Sequence, residues 1–269
     1  MISLITATLG RINEFRILLE SLKSQTYKDY ELIVVDQNEH DYIEKIIRDF
    51  QKLNVRYIKS KVKGLSYNRN IGLKYACGEI IGFPDDDCFY DDNLLKEVTN
   101  YFMENETRLD LVAVSVKDTI TSRVFLAGND LILDRKQLFY KCISYNFFIR
   151  KICGMKFDVE LGVGAFYGSG EETDFLWTFL NKDFRGILIN TTYVHHPANI
   201  GAVNHKRAYK YGLGFGAIMK KEVVQRRHYD MLSIYIIGLI RAIGGILFRR
   251  GKKSYLCSLC GRIIGFIKK

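Results

Sequence analysis

Apolar residues recur along the chain in two alternating rhythms. Short runs at 2–7, 31–35, 55–58 and 79–83 are rich in Ile, Leu and Val, end at turn residues, and predict buried strands. Between them, 12–24, 40–53 and 67–76 space their apolar residues at three and four positions and predict helices. Strand and helix alternate, which is the order of a mostly parallel sheet covered by helices, with ligands collected at the carboxyl ends of the strands. Thr8, Asp36 and Asp85 each fall at or just past such an end, so one shared crevice is expected. At 269 residues the chain has room for one large α/β domain and a smaller appendage.

The strand at 79–83 runs into Asp85, Asp86 and Asp87. Three consecutive carboxylates at a strand end repel one another unless a cation lies between them, and hard oxygen ligands favour Mg²⁺ or Mn²⁺. An acidic turn is the plainer alternative, since Asp is an ordinary turn former. Arg69, on the helix before that strand, offers a further positive contact to an anionic ligand such as a phosphate.

The opening stretch Ser3-Leu-Ile-Thr-Ala-Thr-Leu-Gly-Arg11, the segment Glu31-Leu-Ile-Val-Val-Asp36, and Gly64-Leu-Ser66 with Asn68-Arg-Asn-Ile-Gly-Leu73 before the acidic triplet resemble the family 2 glycosyltransferases. The resemblance covers roughly the first three quarters of the chain. It implies a GT-A nucleotide-sugar fold, Rossmann-like in its central sheet, with donor contacts at Thr8, Arg11, Asp36, Gln37, Arg69, Asp85 and Asp86. Metal ligands are implied at Asp85 and Asp87. The family often has Pro where Ala7 stands and a second Asp where Gln37 stands; Gln both donates and accepts, so the base it would meet is open.

A second acidic group, Glu171, Glu172 and Asp174, follows the glycines 168 and 170 and opens a predicted helix, whose N-terminal dipole tolerates negative charge. By resemblance the second carboxylate of the pair, Glu172, is the general base that takes the acceptor's proton, and Glu171 and Asp174 position the acceptor or cap the helix. Resemblance further implies inversion at the anomeric carbon. The predicted strand 186–194 delivers His195 and His196, and in relatives a histidine here reaches the metal or diphosphate, His196 being the better candidate. A surface histidine pair is the plainer reading.

Charge is unevenly distributed. Residues 205–269 hold 15 Lys and Arg against Glu222 and Asp230, a net +13 in a chain whose total is +10. No nucleic-acid-binding module accompanies this excess, and no nucleic-acid partner is expected. Residues 205–230 are expected to connect a catalytic domain at 1–204 to a helical tail at 231–269, with Arg207, Tyr209 and Tyr211 on the acceptor side by resemblance. Within the tail, 231–248 is almost long enough to span a bilayer, but Arg241 sits near its centre and three glycines weaken it. The spacing predicts two amphipathic helices with basic faces, one through Ser233, Arg241 and Arg249, the other through Ser258, Arg262 and Lys269. A hairpin packed on the catalytic domain is the plainer reading.

These features together predict a peripheral enzyme on the cytoplasmic face of the plasma membrane. Its expected partners are a nucleoside-diphosphate sugar, a polyprenyl-diphosphate-linked glycan acceptor and an anionic lipid surface. A nucleotidyltransferase or a non-catalytic scaffold that keeps the fold are the alternatives. No secretory signal is read at the N-terminus, and the six cysteines form no paired framework.

Overall fold

The computed structural model describes residues 1–104, 108–127, 131–180, 183–197 and 204–269. They divide into two compact units, the first of Met1–Lys63, Tyr67–Lys156 and Phe179–Asn199, the second of Gly64–Ser66, Phe157–Thr178 and Ile200–Lys269. Residues 157–178, expected in the catalytic domain, thus group with the basic tail.

The first unit is built on β1 (Ile2–Thr8), α1 (Ile12–Ser24), β2 (Tyr30–Asp36), α2 (Tyr42–Arg48), β3 (Val55–Lys59), α3 (Leu65–Tyr75, all but its first two residues) and β4 (Ile80–Gly82). It continues with β5 (Phe89–Tyr90), α4 (Leu94–Glu104), β6 (Leu111–Asp118), β7 (Val124–Leu126), β8 (Leu131–Leu133), α5 (Arg135–Lys141), β9 (Phe147–Arg150) and β10 (Gly186–His196). The sheet order is β3-β2-β1-β4-β9-β6-β10-β5, with β7 on β6 and β8 on β10. β3-β2-β1-β4 and the β6/β10 pair are parallel, and β9 enters antiparallel between the two parallel blocks. β2 is buried along its whole length and β1 nearly so, which is why both read as continuous apolar runs.

Two predicted elements come out shorter. The helix expected over 40–53 closes at Arg48, because the Asp49 and Phe50 amides bond three residues back, to Ile46 and Ile47, and tighten the last turn. β4 has three residues, ending before Pro84, which cannot donate to a ladder. β10 is longer than expected and takes in both histidines. Its register against β6 slips between Ile189 and Tyr193, a bulge that re-aims the side chains beyond it.

The second unit contains α6 (Glu171–Phe179, all but its last residue), α7 (His205–Lys220), a π-helical turn at Lys221–Gln225, α8 (Leu232–Phe248) and α9 (Lys252–Lys268). The segment expected as a connector is therefore mostly helix. Glycine explains the difference. On α7, a Cβ at Gly212 or Gly216 would overlap backbone at Ser258 or Arg262 of α9; on α9, a Cβ at Gly261 or Gly265 would overlap the carbonyls of Tyr209 or Leu213. Two four-residue glycine pairs thus let the helix backbones touch. The expected lipid-facing stripe of α9 is corrected by the same contact: Ser258 and Arg262 lie against α7, and Lys269 pairs with Asp158 at 2.9 Å.

Candidate active site

The carboxyl ends of β1, β2 and β4 lie side by side, Thr8 in register with Asp36. Just past β4, the Thr6 hydroxyl donates to the Pro84 carbonyl at 3.1 Å and ties the acidic turn to β1. The three aspartates then part. Asp85 accepts from Arg69 at 2.7 Å, and Arg69 also donates to the Ser144 hydroxyl at 2.8 Å. Arg69 is only 1% exposed. Its charge therefore acts through Asp85, which it orients, and the direct phosphate contact expected of it is corrected: the guanidinium is enclosed beneath the carboxylates.

Asp86 and Asp87 share Arg11, whose guanidinium lies 2.9 Å from one and 2.6 Å from the other. Burial dominates at Asp86 and pushes its carboxyl up to about 6, with Asp85 adding to the rise and Arg11 and Thr8 opposing it. Burial also works against the charge on Asp87, but His196 and Arg11 outweigh it and hold that carboxyl below its ordinary value.

His196 completes the cluster. Its ring stacks on Tyr145 at 4.1 Å, and its Nδ1 lies 2.9 Å from the Pro197 carbonyl. A carbonyl only accepts, so Nδ1 carries a hydrogen and the other nitrogen, Nε2, faces Asp87 at 3.3 Å. A lone pair facing a carboxylate calls for a proton or a cation between them. One ligand atom each from Asp85, Asp87 and His196 lie within 4.8 Å of one another, a spacing and donor set that suit a divalent ion. His195, one residue earlier on the strand, points elsewhere: it bonds Asp91 at 2.8 Å and stacks on Phe89 at 4.4 Å.

The end of β2 differs from expectation. Asp36 is fully buried and accepts four hydrogen bonds, from the Asn38 amide and side chain at 2.9 and 2.7 Å, from Tyr57 at 2.8 Å and from Lys59 at 3.1 Å. A carboxylate has about four acceptor places, so Asp36 acts as the anchor of this loop. Asn38 in turn accepts from the Gly10 amide at 2.8 Å, and the Gln37 amide bonds the Thr8 carbonyl at 3.0 Å. Asn38, Tyr57, Lys59, Ser144 and Tyr145 were not singled out from the sequence. Only Asn38, two residues after an Asp, carried a local signal.

In the second unit, α6 begins after Gly170, whose φ of +87° suits glycine. Glu171 is buried and Glu172 is part-exposed. Asp174 is 2% exposed and pairs with Lys221 at 2.6 Å and Arg226 at 2.8 Å, which explains why an acid sits inside this helix. Arg226 also holds Glu222 at 3.0 Å, and Glu222 meets His228 at 2.6 Å. On α7, the Arg207 guanidinium donates to the Tyr211 hydroxyl at 2.6 Å, both side chains outward. Tyr209, about 200° round the helix from Arg207, is half-buried on another face, so the three do not form one surface.

A family model described as glycosyl transferase family 2 matches residues 3–162. The minor teichoic acid biosynthesis protein GgaB of Bacillus subtilis (strain 168) is 35% identical over 103 residues, a stretch that is 36% of this chain and 11% of that protein. The chain thus spans a small part of that relative's length. S. aureus TarS 1–349 superposes with a TM-score of 0.73 at 19% identity, over 98% of this chain and 80% of that one, and its complex with UDP-GlcNAc gives 0.71. The Pyrobaculum calidifontis mannosyltransferase PcManGT, in complex with GDP-Man and Mn²⁺, gives 0.61 at 14% identity, over 82% of this chain and 64% of that one. At these identities the structural likeness is one of fold.

Proposed function

The chain belongs to glycosyl transferase family 2, and from that membership we propose that it moves a sugar, with inversion, from a nucleoside-diphosphate sugar to a lipid-linked glycan precursor of the cell surface. The observation that carries this reading is the Asp85–Asp87–His196 cluster at the carboxyl end of the sheet. Mn²⁺ or Mg²⁺ held by these three side chains would supply positive charge to the departing diphosphate. Arg69 fixes Asp85 from below, and the Pro197 carbonyl fixes the tautomer of His196. Arg11, half-exposed and paired with Asp86 and Asp87, is assigned to the diphosphate, and Gln37, which follows Asp36 at the end of β2, is assigned to the nucleotide base.

The general base is assigned to Glu172. Of the three acids on α6 it alone is part-exposed, whereas Glu171 is buried and Asp174 is tied by two cations. Exposed Arg207 and Tyr211 are suited to an anionic, sugar-bearing acceptor. Peripheral attachment to the cytoplasmic membrane face is assigned to α8. The helix Tyr229–Phe248 is apolar and long enough to cross a bilayer; one side of it, through Ile234, Gly238 and Ala242, is packed in its own unit, which favours lying at the interface.

The test is a panel of UDP-, GDP- and dTDP-sugars with Mn²⁺ or Mg²⁺, read by donor hydrolysis and by thermal stabilisation. One donor should stabilise the protein only with metal, and Asp87→Ala should remove that dependence. Glu172→Gln should keep donor binding and lower turnover by on the order of a hundredfold. Metal-stimulated turnover that survives Asp85→Ala and Asp87→Ala alike would refute the metal assignment.

A further inference from the structure

α8 leaves an unusual face uncovered. Leu232, Ile236, Ile237, Ile240, Ile243, Leu247 and Phe248 are exposed, the last at 85%, and at 100° per residue they fall within an arc of roughly 160°. The opposite side is buried through Ile234, Tyr235, Gly238, Ala242 and Gly245. At one margin of the apolar arc a groove of about 450 Å³ opens between α8 and α9, lined by Arg241, Gly244, Gly245, Phe248, Arg249 and Tyr255. Tyr255 lies directly on Gly245, while a Cβ on Gly244 would meet nothing within 4 Å, so the groove is walled on one side and open on its floor.

The charges around it are all of one sign. Residues 231–269 contain no Asp or Glu, and Arg241, Arg249, Arg250, Lys252 and Lys253 are exposed. Arg262, two turns on from Tyr255 in α9, has its guanidinium 4.3 Å from the Phe215 ring. Burial first, and then the positive charge of Arg241, hold it below its ordinary value. Cations gathered beside an apolar face without a carboxylate create a demand for an anion that arrives with hydrocarbon attached.

We propose that this groove seats the phosphate of one anionic glycerophospholipid, held between Arg241 and Arg249, while the acyl chains lie along Phe248 and the exposed isoleucines of α8. The proposal rests on the membrane reading above and sharpens it, from diffuse attraction to a site. Gly244 matters because its missing side chain admits the headgroup.

The experiment measures partition of the full chain onto phosphatidylcholine vesicles and onto vesicles that also contain phosphatidylglycerol. Arg241→Gln with Arg249→Gln should weaken binding to the phosphatidylglycerol vesicles at least tenfold. Lys252→Gln with Lys253→Gln removes the same charge outside the groove and should cost severalfold less. Gly244→Leu keeps every charge and should still lose the preference for phosphatidylglycerol, with residual binding to phosphatidylcholine. Equal losses in the two double variants, or an unaffected Gly244→Leu, would mean diffuse electrostatics and overturn the site while leaving membrane attachment standing. Saturable binding of glycerol phosphate without vesicles, lost in the arginine pair, would make the occupant a soluble phosphate and overturn the lipid assignment. A full chain that ignores both kinds of vesicle overturns the membrane reading itself.

Discussion

Arg11 pairs with Asp86 and with Asp87, and Asp87 is also one of the three side chains of the Asp85–Asp87–His196 cluster. Arg11 and a metal ion compete for that one carboxylate, so Arg11→Gln should tighten Mn²⁺ binding in the absence of donor. Arg11 is half-exposed although both carboxylates are largely buried, so solvent screens the pair in part; about 1 kcal/mol of competition corresponds to about fivefold in affinity. Manganese titration followed by electron paramagnetic resonance reads the change, and unchanged or weaker Mn²⁺ affinity would show that Arg11 does not guard the site. The acidic triplet was legible because it follows an apolar strand directly. Asp36 was legible as a strand-end acid but not as an anchor: two of its partners, Tyr57 and Lys59, are on β3, and nothing local announces a bond across 21 or 23 residues. Arg69 was misjudged for a related reason. A sequence gives a residue's charge but not its depth.

Among elements, the first half of the fold was the more readable, because β1, β2 and the helix between them satisfy one periodicity each. α7 was not. Its glycines at 212, 214 and 216 lower intrinsic helix propensity by about 1 kcal/mol each; α9, some fifty residues away, makes the absent side chains of Gly212 and Gly216 an advantage, and Ser169 does the same for Gly214. Gly261→Val should therefore push the two backbones apart and cost about 1–3 kcal/mol or more by overpacking, seen as a lowered melting temperature. Gly244→Ala, on a surface where the added carbon meets nothing, should be neutral or stabilise by roughly 0.5–1 kcal/mol. If both substitutions behaved alike, the close approach of α7 and α9 would be in doubt.

At the scale of the whole chain, the basic excess of the tail is partly answered from outside the tail. Asp158 receives Lys221 at 2.8 Å and Lys269 at 2.9 Å, so two cations from the 205–269 stretch converge on one acid from the loop before α6. Burial opposes the charge on Asp158, yet the two lysines hold its carboxyl at about 2, below the ordinary 3.8. The unfolded chain then takes up the proton first, and this contribution to stability is complete above about pH 4 and fades as pH falls toward 2. Melting temperature measured from pH 6 to pH 2 should drop less steeply in Asp158→Asn than in the unaltered protein. Identical slopes would remove Asp158 from the acid response. It follows that truncating the tail is not a neutral way to obtain a catalytic fragment, because α9 and Lys269 are part of the second unit's own packing.

The π-helical turn at Lys221–Gln225 carries one residue more than an α-helical turn would hold. That surplus sets the phase of everything after it: Lys221 enters the turn aimed at Asp174, and Arg226, just past it, reaches the same carboxylate from another direction. Deleting exposed Val224 would let the stretch relax to an ordinary helix and rotate Arg226 by about 100°. Far-ultraviolet circular dichroism should barely register the loss, whereas the melting temperature should fall, because helix would remain while the grip on α6 is released. The inserted residue behaves as a spacer in a lock: superfluous to the helix that contains it, and necessary to the helix that it holds.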